Sequence, residues 1–488
     1  MVQSVDYLAI APPLIVALAA LGCLLADLLL PPATSRRVVP AVAVVGVVVA
    51  AIPLLSLRSD HRATFCVPPE RGFGTTCSYV VDDLTLVFQA TLLASALVVL
   101  LISAATVDRD RLPGGEYYVL LLSSLVGGVS LPASRDLLTL VVSLELLSLP
   151  TFALAGLRRD DGRSSEAALK LFLVSVVSTA VMLFGFSLVY GVSGSVHLDR
   201  IATELRDPGP LSGIAAIGCV LALVGFGFKV AAVPFHTWAP DVYVGAPIAV
   251  TAYLSVVSKA AGFAGLGLLV TRGFPSYAHT WAPVLAVVAA LTMTLGNLVA
   301  LRQQHAVRLL AWSSVAQSGY MLVPLGAAAT GDPTRVLPAT VAYVLAYAAM
   351  NLAAFAVVAA VGREHAGQRL EDYRGLARRS PVAAGALALA LVALAGLPPG
   401  LVGLLAKVVV FAEPVRSGTG WLAVVMAVNV VIGLAYYLRW AAALFAPQVG
   451  EVGGPLRVAR TDRVAIGLAL AAVVVLSVAP GVVVDALG

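Results

Sequence analysis

The sequence is poor in charge and has no long polar segment. Of its 488 residues, 60% are hydrophobic and only 12% are charged, whereas about a quarter of the residues in a soluble domain are charged. Apolar runs of roughly 20 residues, the length that a helix needs to cross a bilayer, recur from one end to the other. The composition argues against a soluble enzyme. It predicts an all-α polytopic membrane protein, with residues 1–488 forming a single membrane domain.

The sequence also lacks the motifs of redox and nucleotide chemistry. No Gly-rich dinucleotide fingerprint follows a strand, there is no Walker lysine motif, and no cysteine spacing suits an iron–sulfur cluster. No metal site is expected, because no second His or Cys lies at ligand spacing from His236 or His305. Nucleic-acid binding is not indicated, since no basic stripe with interleaved aromatic residues is present. By itself the chain is not expected to oxidise NADH, hydrolyse ATP or carry electrons.

Cysteine is scarce, with four residues in the whole chain. Cys23 and Cys219 lie in apolar segments and are expected to be inert core thiols. Cys66 and Cys77 bound the long polar loop of the first third, CVPPERGFGTTC. An outward-facing loop would favour a disulfide between them, and two free thiols remain the alternative.

The hydrophobic pattern predicts about fourteen transmembrane helices. Their expected ranges are 8–30, 38–57, 82–106, 116–132, 136–157, 165–192, 211–236, 247–270, 280–301, 306–327, 335–361, 380–412, 420–446 and 463–486. We group them into three N-terminal helices (1–110), a first five-helix repeat (115–272), a second five-helix repeat (278–446) and a last helix (460–488).

The arginines predict the orientation. Cytoplasmic loops carry an excess of Lys and Arg, and with both termini outside, 18 of the 27 arginines fall on the cytoplasmic side. We therefore expect a multi-pass protein of the bacterial cell (inner) membrane with both termini outside. The Cys66–Cys77 loop then faces outward, which agrees with the disulfide alternative.

All four lysines lie inside predicted spans, whereas the loop cations are all arginines. A desolvated lysine can release its proton, but arginine stays protonated, so a proton relay would use lysine. Lys259 lies about 18 Å from either end of its span, too deep for its ammonium to reach the membrane surface. Lys229 and Lys407 each adjoin a break in a helix, and we interpret them in the same way. Lys170 lies closer to a loop, and its long side chain could instead carry the ammonium to the membrane interface (snorkelling).

Other titratable residues in these segments are few. Glu145 is at the middle of its span, and an intramembrane glutamate is a functional candidate by default. Pairing with Lys229 would explain how it is tolerated. His236 lies beside a helix break and is a candidate proton relay near neutral pH. For His305, between two arginines in a short loop, a solvated residue is the favoured interpretation, and Asp27 is interpreted as interfacial.

Two predicted spans contain internal breaks, the seventh at Pro234 and the twelfth at Pro398 and Pro399. The breaks are five spans apart, an odd number, so a duplicated five-helix unit would be inverted in the membrane. Paired discontinuous helices are the best sequence indication of a transporter's ion site. Non-helical backbone at this depth is tolerated where it lines a cavity. A simple proline kink without an ion is the alternative.

Six segments resemble subunit N of bacterial NADH:quinone oxidoreductase, respiratory complex I. They are ELLSLP (145–150), SSEAALK (164–170), FKVAAVPFHTWAPDVYVGAP (228–247), SVVSKAAGF (255–263), RLLAWSSVAQSGYMLV (308–323) and AGLPPGLVGLLAK (395–407). The resemblance implies fourteen helices, two inverted five-helix repeats, discontinuous helices seven and twelve, and one proton channel. It places Glu145, Lys229, Lys259 and Lys407 on a central hydrophilic axis, with Lys170 and His236 at accessory positions.

The resemblance also implies partners. Neighbouring antiporter-like and small membrane subunits would surround the chain in the bilayer, and FMN, iron–sulfur clusters and quinone would belong to partner subunits. The chain would then be part of a proton-translocating NADH:quinone oxidoreductase, without redox chemistry of its own. A subunit of a multisubunit cation/proton antiporter is the main alternative, and a structural scaffold is a third.

Two positions depart from the pattern of the family that the sequence resembles. Val244 stands where that family usually has glutamate, and Gln317 where it often has histidine. Gln317 cannot carry a charge, so this side chain cannot itself act as a protonatable relay, although hydrogen-bonded water could bridge there.

Overall fold

The computed structural model of the chain describes residues 5–58, 60–68, 74–330, 333–365, 367–447 and 454–479. Over these ranges the protein is a bundle of helices with one small β-hairpin. The α-helices are α1 (Ala11–Leu29), α2 (Pro32–Leu57), α3 (Asp83–Asp110), α4 (Gly114–Ser130), α5 (Leu137–Ala155), α6 (Gly162–Ser193), α7 (Leu198–Glu204), α8 (Ser212–Lys229), α9 (Trp238–Gly245), α10 (Ile248–Tyr253), α11 (Lys259–Leu268), α12 (Ala278–Ala300), α13 (Ala306–Gly326), α14 (Leu337–Val361), α15 (Leu376–Arg379), α16 (Pro381–Ala395), α17 (Leu401–Arg416), α18 (Gly420–Phe445) and α19 (Arg460–Val478). The hairpin strands are β1 (Arg62–Val67) and β2 (Thr76–Val81).

Twelve helical segments in the described ranges are long and apolar enough to cross a membrane. They correspond to every predicted span except the tenth and the twelfth. The tenth is α13, whose serines and Gln317 lower its hydropathy, and the twelfth is divided into α16 and α17. The all-α membrane architecture is confirmed, and the count of fourteen stays a prediction. Residues 480–488, the end of the last predicted span and segment, lie outside the described ranges.

The helix breaks lie where the sequence predicted them. Helix α8 ends at Lys229, ahead of Pro234, and α16 ends at Ala395, ahead of Pro398 and Pro399. Proline supplies no backbone N–H and clashes with the preceding turn, so a helix cannot run through these segments undisturbed. The division of the chain into two inverted repeats stays a prediction.

A hairpin occupies the polar loop between α2 and α3, where the sequence predicted no strand. Its two strands are antiparallel, Cys66 lies opposite Cys77, and their sulfur atoms are bonded. Because side chains alternate between the two faces of a strand, Tyr79 and Val81 of β2 point the same way. They pack with Ala9, Leu57 and Ala133 in a small core of their own.

Arg135 ties this hairpin to the helices. It is buried and donates to Asp82 Oδ2 at 2.7 Å and to the carbonyl of Pro132 at 2.9 Å. Its backbone N–H donates to the carbonyl of Ser78 at 2.8 Å. Burial by itself would raise the pKa of Asp82, but the charge of Arg135 and the hydrogen bonds from Thr85 hold that pKa below its ordinary value. The carboxylate therefore stays ionised at neutral pH and joins β2, α3 and the turn before α5.

Helix α5 begins with a side-chain cap. Asp136 accepts hydrogen bonds from the backbone N–H of Thr139 at 2.8 Å and from its hydroxyl at 2.7 Å. We expect Asp136→Ala to lower the free energy of unfolding by about 1 kcal/mol, because the first turn loses its acceptor. Asp136→Asn keeps an acceptor and is the matched control. Unfolding of the purified chain in detergent measures both, and an Ala variant that unfolds like the wild type would contradict the assignment.

The centre of the bundle is one unusual helix. Residues 248–273 form a continuous run of α10, a π-helical turn, α11 and a second π-helical turn. Every residue in the 18-residue apolar stretch of this helix is buried. Helix α14 packs beside it, and 94% of the residues in the 18-residue apolar stretch of α14 are buried. By contrast α1, α2, α5, α6 and α18 present exposed leucines and valines. Polar groups on the central helices are therefore shielded on all sides, and they carry the candidate site.

Candidate functional site

Three of the four lysines lie in the protein interior. Lys229, Lys259 and Lys407 are 4%, 2% and 7% exposed. Among the described residues, no carboxylate lies within 4.0 Å of any of the three ammonium groups. Each ammonium bonds to hydroxyl or carbonyl oxygens instead. Burial without a counter-charge disfavours the charged form of an amine, so the row has the chemistry of groups that can bind and release a proton.

Lys229 is the last residue of α8, immediately before the break. The following backbone is irregular, with a positive φ of 57° at Ala231. The Nζ atom of Lys229 donates to Ser148 Oγ on α5 at 2.8 Å. Gly262 leaves room for the lysine stem, since a Cβ there would lie 3.1 Å from Lys229 Cγ. The ammonium of Lys229 at the end of α8 therefore contacts the middle of α5.

Glu145 lies on α5, one turn before Ser148. It is half-buried and accepts a hydrogen bond from Thr179 Oγ1 of α6 at 2.8 Å. The close pair that the sequence suggested with Lys229 is not formed, because Ser148 takes the ammonium while Glu145 lies towards the outer face of α5. Glu145 and the hydroxyl that binds the ammonium are nevertheless only one turn apart on α5.

Lys259 has the richest environment of the three. Its Nζ atom lies 2.6 Å from the carbonyl of Ser314, 2.5 Å from Ser314 Oγ and 2.7 Å from Ser318 Oγ. The ring of Tyr347 lies 5.5 Å from the ammonium, within cation–π range. The π-helical turn 254–258 directly precedes Lys259, and such turns occur frequently at functional sites.

Helix α13 connects Lys259 to the break after Lys229. Ser318 Oγ, which accepts from Lys259, donates to the carbonyl of Val230 at 2.6 Å. Tyr347 donates to Ser314 Oγ at 2.8 Å. Sequence analysis missed these hydroxyls, although the signal was present: the polar residues of SSVAQSGY recur at spacings of three and four, which places them on one face of a helix.

Lys407 binds the carbonyl groups that the second break exposes. Its Nζ atom donates to the carbonyls of Leu394 at 2.8 Å and Ala395 at 2.6 Å, the last two residues of α16. These carbonyls are free because a helix leaves its final acceptors without intrahelical partners. Gly396 then turns the chain with a φ of 83°, and the ring of Tyr320 lies 5.6 Å from the ammonium.

Gln317 lies between the second and third lysines. Its Nε2 donates to the carbonyl of Leu394 at 3.3 Å, the same acceptor that Lys407 uses, and to Tyr437 OH at 3.0 Å. Its Oε1 accepts from Tyr343 OH at 2.6 Å. The residue that departs from the pattern of similar sequences is thus a fully hydrogen-bonded bridge, although it cannot itself carry a charge.

Lys170 is not part of the buried row. Its side chain is 41% exposed and forms ion pairs with Glu166 and Asp241, both at 2.7 Å. Arg308 joins the same cluster through Asp241 at 3.4 Å. The structure therefore places Lys170 in a partly exposed ionic cluster with Glu166 and Asp241.

The two histidines have different surroundings. His236 is buried against the ring of Trp312, with 5.6 Å between ring centroids. His236 Nδ1 and Trp312 Nε1 are buried and have no hydrogen-bond partner among the described residues. His305 caps α13 by accepting from the N–H of Arg308, and burial and nearby arginines lower its pKa. Within the described ranges, no group of three or more His, Cys, Asp or Glu could hold a metal ion.

Known proteins share both the sequence and this fold. Residues 134–433 match the family described as NADH:quinone oxidoreductase/Mrp antiporter. A Streptomyces griseus protein named NADH-quinone oxidoreductase subunit N 2 is 57% identical over 92% of this chain and 84% of its own length. A Salinispora tropica protein named NADH-quinone oxidoreductase subunit N is 46% identical over 91% of this chain and 86% of its own.

This chain belongs to the subunit N family of NADH-quinone oxidoreductase. A chain of Thermus thermophilus respiratory complex I agrees, with a TM-score of 0.80, 32% identity, and coverage of 98% of this chain and 99% of that one. A chain of the Mrp complex from Dietzia has a TM-score of 0.83 at 21% identity over 99% and 96% of the two chains, which shows a shared fold. The recognition of subunit N from the quoted segments is therefore confirmed, and Lys229, Lys259 and Lys407 all lie inside the matched region.

Proposed function

We propose that this chain is a proton-translocating, antiporter-like membrane subunit of a bacterial NADH:quinone oxidoreductase. The observation that carries the proposal is the row of three buried lysines whose ammonium groups contact hydroxyls and carbonyls rather than carboxylates. A structural ion pair would hold its proton permanently. A lysine with neutral ligands can alternate between charged and neutral forms with little rearrangement of its site.

The proposed path uses Glu145, Lys229, Lys259 and Lys407 in that order. Ser148 links the first two, since it contacts the ammonium one turn from Glu145. Ser318 and the carbonyl of Val230 link Lys229 to Lys259. Gln317 and the carbonyl of Leu394 lead on to Lys407. Protons pass between these groups through hydroxyls and water.

Charge repulsion supplies the coupling along this row. Two unit charges attract or repel by roughly 4 kcal/mol at 4 Å and an effective dielectric of 20, and less at longer separations. A proton arriving at one lysine therefore favours release from the next. Glu145, at the outer face of α5, is where a charge change in a neighbouring subunit would act first.

Lys170 and His236 are proposed as accessory positions. Lys170 lies in the ionic cluster with Asp241, where protons could be collected at the end of the bundle. His236 lies beside the break at Pro234, and its buried Nδ1 has no hydrogen-bond partner among the described residues. The breaks at Pro234, Pro398 and Pro399 are proposed to lie in corresponding places of two inverted repeats, 115–272 and 278–446.

The energy for transport is proposed to come from partner subunits. FMN, iron–sulfur clusters and quinone belong to those partners, and quinone reduction there drives proton movement here. The neighbours are other membrane-arm subunits in the bacterial cell (inner) membrane. Both termini are proposed to lie outside, which the distribution of 18 arginines of 27 supports.

The first test is Lys229→Ala in the assembled enzyme in membrane vesicles. Proton pumping and NADH:quinone electron transfer should fall together, because a coupled enzyme cannot turn over when its proton path is blocked. Co-purification of the partner subunits checks assembly. Ser148→Ala should lower both activities less, and Ser187→Ala is its matched control, since Ser187 is exposed and bonds only to its own helix. Wild-type pumping in Lys229→Ala would refute the path.

The second candidate is a subunit of a multisubunit cation/proton antiporter. The matching family includes Mrp antiporters, and a chain of an Mrp complex shares the fold. This candidate predicts sodium-dependent proton flux in vesicles that contain no redox subunit. The identities of 57% and 46% to subunit N proteins favour the first candidate.

A further inference from the structure

A cavity of about 910 Å³ opens between the α1–α2 turn and the α3–α4 turn. None of the buried lysines lines it. Its polar lining includes Asp27, Arg36, Arg37, Asp108, Arg111, Glu116 and Tyr118. The volume is in the range of roughly 300–1,000 Å³ that small-molecule sites occupy. Because it lies at the ends of lipid-facing helices, the cavity is at the level of the lipid headgroups.

The arginines of this cavity are unpaired. Arg36 and Arg37 lie in the first turns of α2, and Arg111 follows α3 with a positive φ of 51°. None of them forms an ion pair within 4.0 Å in the part of the chain that the structure describes. By contrast, Arg109 and Arg158 both pair with Asp110 nearby. A free guanidinium group can bind phosphate oxygens through two parallel hydrogen bonds, so these arginines suit a phosphate in the cavity.

Two of the acidic residues are also unpaired. Asp108 and Glu116 are exposed and form no ion pair among the described residues. Asp27 is engaged, since Ser35 donates to it at 2.7 Å and its carboxylate lies against Gly115. That position is the N-terminus of α4, where the helix dipole stabilises a negative charge. The lining therefore also offers two carboxylates to a cation.

Tyr118 adds an independent indication of a ligand. It lines the cavity and is 1% exposed, and its hydroxyl has no hydrogen-bond partner among the described residues. Buried hydroxyls in proteins are almost always hydrogen-bonded. The described residues therefore leave one polar group beside this cavity unsatisfied.

The surface beside the cavity is apolar. Leu28 and Leu29 at the end of α1 are 71% and 77% exposed, and Val45, Val48 and Ile52 continue the exposed face along α2. In a bilayer this face contacts acyl chains, so a lipid whose headgroup enters the cavity has its chains beside α1 and α2. Acyl chains attached to the bound headgroup would cover it.

We propose that this cavity binds the headgroup of a zwitterionic aminophospholipid, a phosphodiester that carries a primary ammonium. The phosphate lies against Arg36, Arg37 and Arg111, and the ammonium lies against Asp108 and Glu116. A phosphatidylglycerol headgroup would bring no cation to the two carboxylates. A phosphatidylcholine headgroup would bring one without N–H donors.

Lipid retention by the purified, delipidated enzyme complex tests the proposal. Phosphatidylethanolamine, phosphatidylglycerol and phosphatidylcholine with identical acyl chains are added back, and bound lipid is measured by native mass spectrometry. The first should bind about tenfold more tightly than the other two, a difference that one or two charge-assisted hydrogen bonds supply. Glycerophosphoethanolamine and inorganic phosphate should bind weakly, which separates a lipid from a soluble phosphate as the ligand.

Variants separate the contribution of the arginines to lipid binding from that of the acidic residues. The double variant R36Q/R37Q should weaken binding of all three lipids by about tenfold or more. Glu116→Gln should reduce the preference for the ethanolamine headgroup over the glycerol headgroup. Arg378→Gln is the matched control, because Arg378 is exposed and unpaired among the described residues but does not line the cavity.

Four results would overturn the proposal. They are equal binding of the three lipids, equal effects of R36Q/R37Q and Arg378→Gln, retention of soluble headgroup as tight as that of lipid, and binding to the isolated chain but not to the assembled complex. The last would mean that a neighbouring subunit covers the cavity.

Discussion

Lys259→Met is expected to reduce proton pumping by the assembled enzyme by about a hundredfold or more, the scale on which loss of a proton-transferring group acts. Methionine fills much of the volume of the lysine stem but cannot hold a proton. The fold should survive, because Ser318 keeps the carbonyl of Val230 as its acceptor and Ser314 Oγ keeps its hydrogen bond from Tyr347. Pumping in vesicles, normalised to co-purified partner subunits, measures the effect.

Lys259→Arg separates the need for charge from the need for proton release. Arginine keeps the positive charge but stays protonated in proteins, so a relay should remain blocked. A purely electrostatic or structural role predicts that the arginine variant pumps while the methionine variant does not. Normal pumping in both variants would remove Lys259 from the path.

Gly396→Ala should impair pumping and stability together. Gly396 has a φ of 83°, where a residue with a Cβ is strained by roughly 1–2 kcal/mol. The new Cβ would also lie 2.8 Å from Lys407 Cδ and 3.1 Å from its Nζ. The lysine stem would have to shift, which disturbs its hydrogen bonds to the carbonyls of Leu394 and Ala395. Unfolding temperature and pumping are the two measurements.

Gly385→Ala is the control for that variant. Gly385 lies within α16, and a Cβ there meets nothing within 4 Å. Alanine has a higher helix propensity than glycine, so this variant should have a free energy of unfolding about 0.5–1 kcal/mol higher than the wild type. If the two glycine variants pump equally well, the geometry around Lys407 is not required for transport.

Much of the fold could be predicted because membrane insertion restricts what a sequence can contain. Apolar runs of bilayer length predicted the helices, and Pro234, Pro398 and Pro399 predicted the breaks between α8 and α9 and between α16 and α17. Both signals are local, since chain length and the missing proline N–H do not depend on neighbours. The hairpin was missed because its pairing depends on two short strands meeting across a polar loop.

The lysines could be found, but their partners could not. Charge in an apolar segment is conspicuous, so Lys229, Lys259 and Lys407 were identified without coordinates. Ser148, Ser314 and Ser318 were not, because serine occurs throughout the chain and only packing shows which hydroxyl meets which ammonium. Packing also decides the position of Glu145. We expected it beside Lys229, but the ammonium of Lys229 contacts Ser148, one turn further along α5.

The sequence by itself determined that this is a helical membrane protein of the subunit N family, which titratable groups lie within its spans and where two helices break. Each of these follows from composition, local chain geometry or a quoted motif. Only the tertiary structure decided that Lys170 lies in an exposed ionic cluster and that the other three lysines bind neutral oxygens. Only the tertiary structure also showed that the α1–α2 and α3–α4 turns form an arginine-lined cavity. Such features depend on contacts between helices far apart in the chain, and a hydrophobic pattern shows which residues avoid water but not which of them meet.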